Sequence, residues 1–97
     1  MKRTKSMIFN ETEESRELYL YAINDRTTYN HYKECEKNLL RKVKKGTYDS
    51  DKATDLMYYV ATTASNEYKK DFGYGFGVGD RFTVAVMLVS YFEQDFC

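Results

Sequence analysis

Apolar residues recur at intervals of three and four along most of the chain, a spacing typical of amphipathic helices. Between residues 26 and 45 they are Tyr29, Tyr32, Cys35, Leu39, Leu40 and Val43, and between 51 and 72 they are Ala53, Leu56, Met57, Val60, Ala61, Ala64 and Tyr68. Residues 18–23 are apolar on all sides. The pattern predicts four helices, at about 12–23, 26–45, 51–72 and 81–95, in an all-α fold with a compact bundle.

Residues that favour helix ends stand at the borders of these segments. Asn10 or Thr12, Asp25, Asp49 or Ser50, and Asp80 are the predicted N-caps, because their side chains accept hydrogen bonds from the first backbone amides. Gly46 and Gly73 are the predicted C-terminal stops. The absence of proline suits long uninterrupted helices.

The final segment fits two types of secondary structure, because the run from Phe82 to Val89 has enough β-branched residues for a strand. A lone strand in a helical protein would leave its backbone unpaired, so we predict a helix with Phe82, Ala85, Val86, Val89 and Phe92 on one face. This helix is apolar around much of its girth. We therefore expect it to be either the central helix or half of a dimer contact.

The length of 97 residues, with 42% hydrophobic and 31% charged residues, indicates one globular domain spanning residues 1–97. Residues 1–9 are expected to form a flexible or loosely packed segment. The sequence has no apolar run long enough for a membrane span or a signal peptide. We accordingly expect a cytoplasmic protein without a membrane partner.

The charges are segregated although the net charge is zero. Residues 26–45 carry seven basic and two acidic residues, whereas residues 7–25 carry one basic and five acidic residues. Six cations of the second helix share one side, which we call the basic face: Arg26, Lys33, Lys37, Arg41, Lys44 and Lys45. It could bind phosphates or an acidic protein. The alternative is an ordinary solvated side, with Glu34 and Glu36 nearby and the acidic first helix alongside.

Few residues suggest catalysis. His31 and Cys35 share a helix side, but a Cys–His nucleophile also needs an orienting group and donors for the transition state. Asp49, Asp51 and Asp55 lack EF-hand spacing, and Asp49 is better explained as a cap. Two cysteines with no metal spacing are expected to be reduced thiols. We expect no enzyme activity, no cofactor and no metal site.

Residues 73–79 form the Gly-rich loop, with the sequence Gly-Tyr-Gly-Phe-Gly-Val-Gly. It lacks the Lys-Ser/Thr ending of a phosphate-binding P-loop, and Asp80 would repel an anion. We interpret it as a flexible connection between helices. Its side chains Tyr74, Phe76 and Val78, if exposed, would form an adaptable contact patch, and Tyr74 and Phe76 join the basic face as predicted partner-binding residues.

The chain also resembles a widespread group of small proteins of tailed bacteriophages over about residues 12–96. The resemblance is carried by Leu18-Tyr19-Leu20, Asn24-Asp25, Tyr29, Lys37-Asn38-Leu39-Leu40-Arg41-Lys42, Gly46-Thr47-Tyr48-Asp49, Lys52-Ala53, Tyr68-Lys69-Lys70-Asp71-Phe72-Gly73, Arg81 and Tyr91-Phe92-Glu93. It implies a phage origin and an all-helical fold, and it brings no catalytic residue. The Gly-rich loop is individual to this chain.

Two functional hypotheses follow. The first is a phage accessory protein that acts in the host cytoplasm, where it binds and inhibits a host protein such as a CRISPR effector or another component of antiviral defence. The second is a nucleic-acid or nucleotide-binding module that uses the basic face. Homodimerisation through the last helix is a further expectation.

Overall fold

The computed structural model describes residues 12–97 and, within this range, contains four helices and no strand. These are α1 (Glu13–Asn24), α2 (Arg26–Lys45), α3 (Ser50–Phe72) and α4 (Val78–Phe96). The all-α bundle predicted from the apolar pattern is confirmed. The predictions for residues 1–9 and for Asn10 as a cap fall outside the described residues.

The helix ends form where the sequence placed them in three of the four helices. Thr12 caps α1 in a capping box with Ser15, and Asp25 and Asp49 cap α2 and α3 through their carboxylates. Gly46 and Gly73 end α2 and α3 at φ values of 77° and 88°. Side chains other than glycine rarely adopt this left-handed conformation, so these glycines fix both helix lengths.

The prediction that Asp80 caps α4 is wrong. The helix begins three residues earlier than predicted, at Val78, with Gly77 as its N-cap and no side-chain capping bond. Asp80 lies in the first turn, where its charge favours the positive helix end. Its carboxylate also accepts a hydrogen bond of 3.3 Å from the Thr12 hydroxyl. Asp80, which the local sequence predicted to be a cap, therefore bonds to the start of α1 instead of to the backbone of its own helix.

The core lies mainly between α3 and α4, which form the most extensive contact in the bundle. Its buried side chains are Leu18 and Ala22 of α1, Cys35 and Leu39 of α2, Ala53, Met57, Val60, Ala61 and Ala64 of α3, and Val84, Ala85, Leu88, Val89 and Phe92 of α4. α1 packs on both α3 and α4, while α2 packs on α3 and barely touches α4. Helices α2 and α4 therefore present separate outer surfaces.

Two of the predicted buried faces each include one residue that is exposed in the structure. Tyr29 was placed in the α2 core stripe, but its side chain is 44% exposed. The preceding residue, Thr28, is buried instead and donates its hydroxyl to Asp25 at 2.8 Å. Likewise Phe82 is 53% exposed, whereas Val84 and Ala85 are buried. Because α4 has apolar residues on every side, the spacing of its apolar residues is compatible with more than one buried face.

Tyrosine hydroxyls join the helices by hydrogen bonds to carboxylates. Tyr48 donates to Glu93 at 2.8 Å, Tyr21 donates to Asp71 at 2.7 Å, and Tyr68 donates to Glu17. Each bond links residues at least 45 positions apart in the chain. The tyrosines thus bury their rings and keep their polar tips paired, which limits the cost of burying a hydroxyl.

These contacts predict a loss of stability at alkaline pH. Burial, and then the hydrogen bond to Glu93, raise the pKa of Tyr48 above its ordinary value of about 10. The folded protein therefore holds this proton more tightly than the unfolded chain. The stabilisation is complete below pH about 10 and falls as the pH rises beyond that value. Burial, followed by Glu36, raises the pKa of Tyr32 in the same direction.

We expect the free energy of unfolding, measured by denaturant titration between pH 8 and 11, to decline above pH about 10. Tyr48→Phe should make the decline shallower, because it removes one of the responsible protons. Tyr59→Phe is the control, since Tyr59 is 63% exposed. Equal slopes for Tyr48→Phe and the unmodified protein would contradict this account.

Candidate protein-docking surface

Helix α2 owes its orientation to contacts on the side opposite the basic face. Thr28, Cys35 and Leu39 are its buried residues and lie against the rest of the bundle. At one end the Asp25 carboxylate accepts from the Thr28 amide at 3.1 Å, and at the other Gly46 closes the last turn. The helix is therefore held at both ends and along its inner side, and its outer side has a fixed direction.

The structure places all six cations of the basic face on this outer side of α2. Arg26, Lys37, Arg41, Lys44 and Lys45 are exposed, and Lys33 is half-buried. At 1.5 Å per residue the face extends about 30 Å from Arg26 to Lys45. This length is comparable to one side of a small protein-binding surface.

Lys33 is the one member of the face with a carboxylate partner among residues 12–97. Its ammonium lies 2.6 Å from Glu36 and 5.9 Å from the centre of the Tyr29 ring. The hydrogen bond to Glu36 raises the pKa of Lys33, so this side chain stays protonated. Part of its charge is already neutralised, and its position is fixed by neighbours on its own helix.

The other five cations make no ion pair with any described residue. The two ion pairs found between side chains of residues 12–97 are Lys33–Glu36 and Lys70–Glu67. No carboxylate of α1 among the described residues forms an ion pair with the basic face, although Glu36 of α2 pairs with Lys33, as the alternative of an ordinary solvated side allows. An exposed and uncompensated set of cations on a rigid helix attracts acidic groups of a binding partner.

Tyr29 is a member of this surface that the sequence analysis missed, since it was assigned to the core. Its exposed ring lies beside Lys33 and 6.3 Å from the ring of Tyr32. The spacing of four residues between Tyr29 and Lys33 was the signal that could have placed them together. Tyrosine and arginine are both enriched in protein interfaces, and Tyr29 adds apolar area to a charged surface.

The Gly-rich loop does not join the basic face. The ring of Tyr74 lies 5.4 Å from that of Tyr68, and their hydroxyls are 3.1 Å apart, so the loop packs on α3. Phe76 is half-buried against the core, and its amide donates to the Ser65 hydroxyl at 2.8 Å. Of the two loop residues predicted to bind a partner, Tyr74 is exposed, whereas most of the Phe76 side chain packs against the core of the protein.

The interpretation of residues 73–79 as a flexible connection is therefore corrected in two respects. Val78 and Gly79 already belong to α4. The remainder is anchored by Ser65 and by the ring of Phe76, which lies 4.7 Å from that of Tyr68. The anchor needs glycine at position 75, because a Cβ there would lie 2.9 Å from the Ser65 Oγ.

Other chemistries receive little support from the geometry. His31 Nδ1 lies 3.0 Å from the Thr63 hydroxyl, and burial raises the pKa of the Cys35 thiol, which disfavours a nucleophilic thiolate. No cluster of three potential metal ligands occurs in the part of the chain that the structure describes. Within residues 12–97, no helix has both the length and the apolar content needed to cross a bilayer.

No protein family, curated protein or solved structure matches this chain. The resemblance to the phage group therefore stays a prediction based on the quoted residues. The functional proposal below is based on the basic face of α2 and the neighbouring Tyr29.

The loop anchor predicts opposite effects for two glycine substitutions. Gly75→Ala should displace the Ser65 hydroxyl and break its bond to Phe76, lowering the free energy of unfolding by about 1–3 kcal/mol. Gly79→Ala is the control: a Cβ there meets nothing within 4 Å, so stability should stay the same or rise by up to about 1 kcal/mol. Thermal unfolding measures both. A Gly75→Ala protein as stable as the unmodified one would show that the anchor is unimportant.

Proposed function

We propose that this protein acts by binding: the basic face of α2 docks onto an acidic surface of a host protein and inhibits it. The observation that carries the proposal is the set of five exposed cations without a carboxylate partner among residues 12–97. Charge left uncompensated within a folded chain is available to steer and orient a complementary partner.

Two further features support a protein partner. Tyr29 is 44% exposed beside Lys33, and an aromatic ring among cations can fill a pocket while the cations pair at its rim. The helix is also fixed at both ends before binding, which lowers the entropy lost on association. The resemblance to phage proteins suggests the context, in which the target is an antiviral-defence component such as a CRISPR effector.

Nucleic acid is the second candidate, because phosphates would also pair with the same cations. Acidic residues weaken this candidate: Glu34 is exposed on α2, and Glu36 is already bound to Lys33. The net charge of zero gives no long-range attraction to a polyanion. The salt dependence distinguishes the two partners, since pairing with five or six phosphates predicts a steep loss of affinity with added salt.

The proposal predicts that reversing charge on the basic face abolishes inhibition without unfolding the protein. The double variant Lys37→Glu/Arg41→Glu should bind the target at least tenfold more weakly, equivalent to about 1.4 kcal/mol or more. Lys52→Glu/Lys69→Glu makes the same charge change at exposed positions of α3 and should bind normally. Thermal unfolding should give similar midpoints for all three proteins.

The measurement has two parts. Bacteria that carry a CRISPR effector and express each variant are challenged with phage, and the plating efficiency reports inhibition. The captured target is then purified and titrated with each variant at two salt concentrations. No relief of any tested defence, or equal binding by the two double variants, would contradict the proposal. Binding to purified nucleic acid alone would favour the second candidate.

A further inference from the structure

An apolar groove with acidic residues along one side lies between α3 and α4, and we call it the α3–α4 groove. It has a volume of about 410 Å³ and is lined by Phe82, Val86 and Val89 of α4 and by Asp51 and Asp55 of α3. Phe82 is 53% exposed, and both aspartates are exposed. Exposed apolar surface bordered by polar groups is characteristic of a contact site.

The polar groups of the groove lack partners in the described chain. Asp51 and Asp55 form no ion pair with a cation of residues 12–97. Ser90 also lines the groove, and its buried hydroxyl has no hydrogen-bond partner among these residues, which is costly if left so. The occupant that suits this lining carries apolar side chains to cover α4 and positive charges to pair with α3.

Residues 1–11, which precede the described part of the chain, have the composition that this lining requires. Lys2, Arg3 and Lys5 are cations, Met7-Ile8-Phe9 is an apolar run, and Glu11 is the one carboxylate of the segment. The apolar run is separated from Thr12 by two residues, and the cations lie further away along the chain. The segment thus offers apolar contacts near the start of α1 and positive charge at a greater distance from it.

The contact of Thr12 with α4 brings this segment to the Phe82 end of the groove. The Thr12 hydroxyl donates to Asp80 at 3.3 Å, in the first turn of α4. Phe82 lies two residues later on the other side of that helix, a path of about 15 Å around a cylinder of about 10 Å in diameter. Three to five extended residues span about 10–18 Å, so the apolar run can reach Phe82.

The carboxylates lie where the cations of the segment can reach them. Asp55 lines a second hollow, of about 260 Å³, together with Phe82, and Asp51 lies about 6 Å further along α3. Lys5, Arg3 and Lys2 precede Thr12 by seven to ten residues, and this length spans about 23–33 Å when extended. The order of apolar and basic residues in the segment therefore matches the order of Phe82, Asp55 and Asp51 along its path.

An acidic hollow closer to Thr12 fits the same segment less well. It has a volume of about 550 Å³ and is lined by Thr12, Glu13, Arg16, Glu17 and Leu20 of α1. Leu20 is its one apolar lining residue, and the charge of Arg16 opposes the approach of another cation. The apolar run therefore finds more complementary surface on α4 than on α1.

We propose that residues 1–11 of this chain dock along the α3–α4 groove, with Met7-Ile8-Phe9 on Phe82 and the cations on Asp51 and Asp55. The docked segment covers the apolar side of α4. It also neutralises its own cations, which leaves the basic face of α2 as the positive surface open to a partner. This inference does not rest on the proposed function, because no residue of the basic face takes part.

The test is photo-crosslinking within the full chain, with p-benzoylphenylalanine in place of Phe9. We expect crosslinks to Phe82 and the residues around it, mapped by mass spectrometry, in a species with the mass of one chain, 11.5 kDa. The same photo-reactive residue in place of Phe72 is the control, because Phe72 is similarly exposed, at 58%, but lies outside the groove. Crosslinks to α1, crosslinks between two chains, or no crosslink at all overturn the proposal.

Charge exchange tests the pairing, with the yield of the Phe9 crosslink as the readout. Lys2→Glu/Arg3→Glu/Lys5→Glu and Asp51→Lys/Asp55→Lys should each lower the yield about threefold or more. Combining the two sets should recover most of the loss, since the pairs re-form with reversed sign. The N-terminal set alters no described side chain, so it stays informative if the groove variant unfolds.

The matched control is Glu67→Lys/Asp71→Lys, which makes the same charge change at the same spacing near the other end of α3 and should keep the yield. A yield unchanged by the N-terminal set, or lowered equally by the folded control and by the groove variant, overturns the proposed pairing. The crosslink is measured without any target present, so failure of the proposed function would leave its result unaffected.

Discussion

The close packing of α4 on α3 is the constraint on which the rest of the structure depends. Ala53, Ala61 and Ala64 are fully buried on α3, and small side chains let a neighbouring helix approach closely. Phe92 of α4 belongs to the same core cluster and is itself fully buried. Because interiors are packed as densely as organic crystals, this contact fixes which sides of the two helices face inward, and α1 and α2 then cover what remains.

The distribution of charge follows from that arrangement. The central contact uses the part of α4 between residues 82 and 92, which has no charged side chain, and most cations of α2 lie at the surface. Carboxylates of α1, α3 and α4 meet tyrosine hydroxyls where the helices approach, as in Tyr21–Asp71 and Tyr48–Glu93. Acidic residues are thereby used to close the bundle, while basic residues remain available at its outer side.

Two separate surfaces result, and they differ in physical character. The basic face is long, charged and rigid, which suits steering and orientation of an acidic partner. The groove between α3 and α4, of about 410 Å³, is lined by Phe82, Val86 and Val89 together with the carboxylates Asp51 and Asp55.

The sequence by itself determined the number of helices, the ends of most of them and the membership of the basic face. These features depend on residues within one or two turns of each other, such as Asp25 with Thr28 or Gly46 with the last turn of α2. Only the tertiary structure decided the exposure of Tyr29 on α2 and of Phe82 on α4, and the anchoring of Phe76 on Ser65. The physical reason is that these outcomes depend on contacts between segments distant in the chain. In a helix with apolar residues on every side, or a chain with many tyrosines, the local sequence allows several choices of buried side chain, and packing against the other helices decides between them.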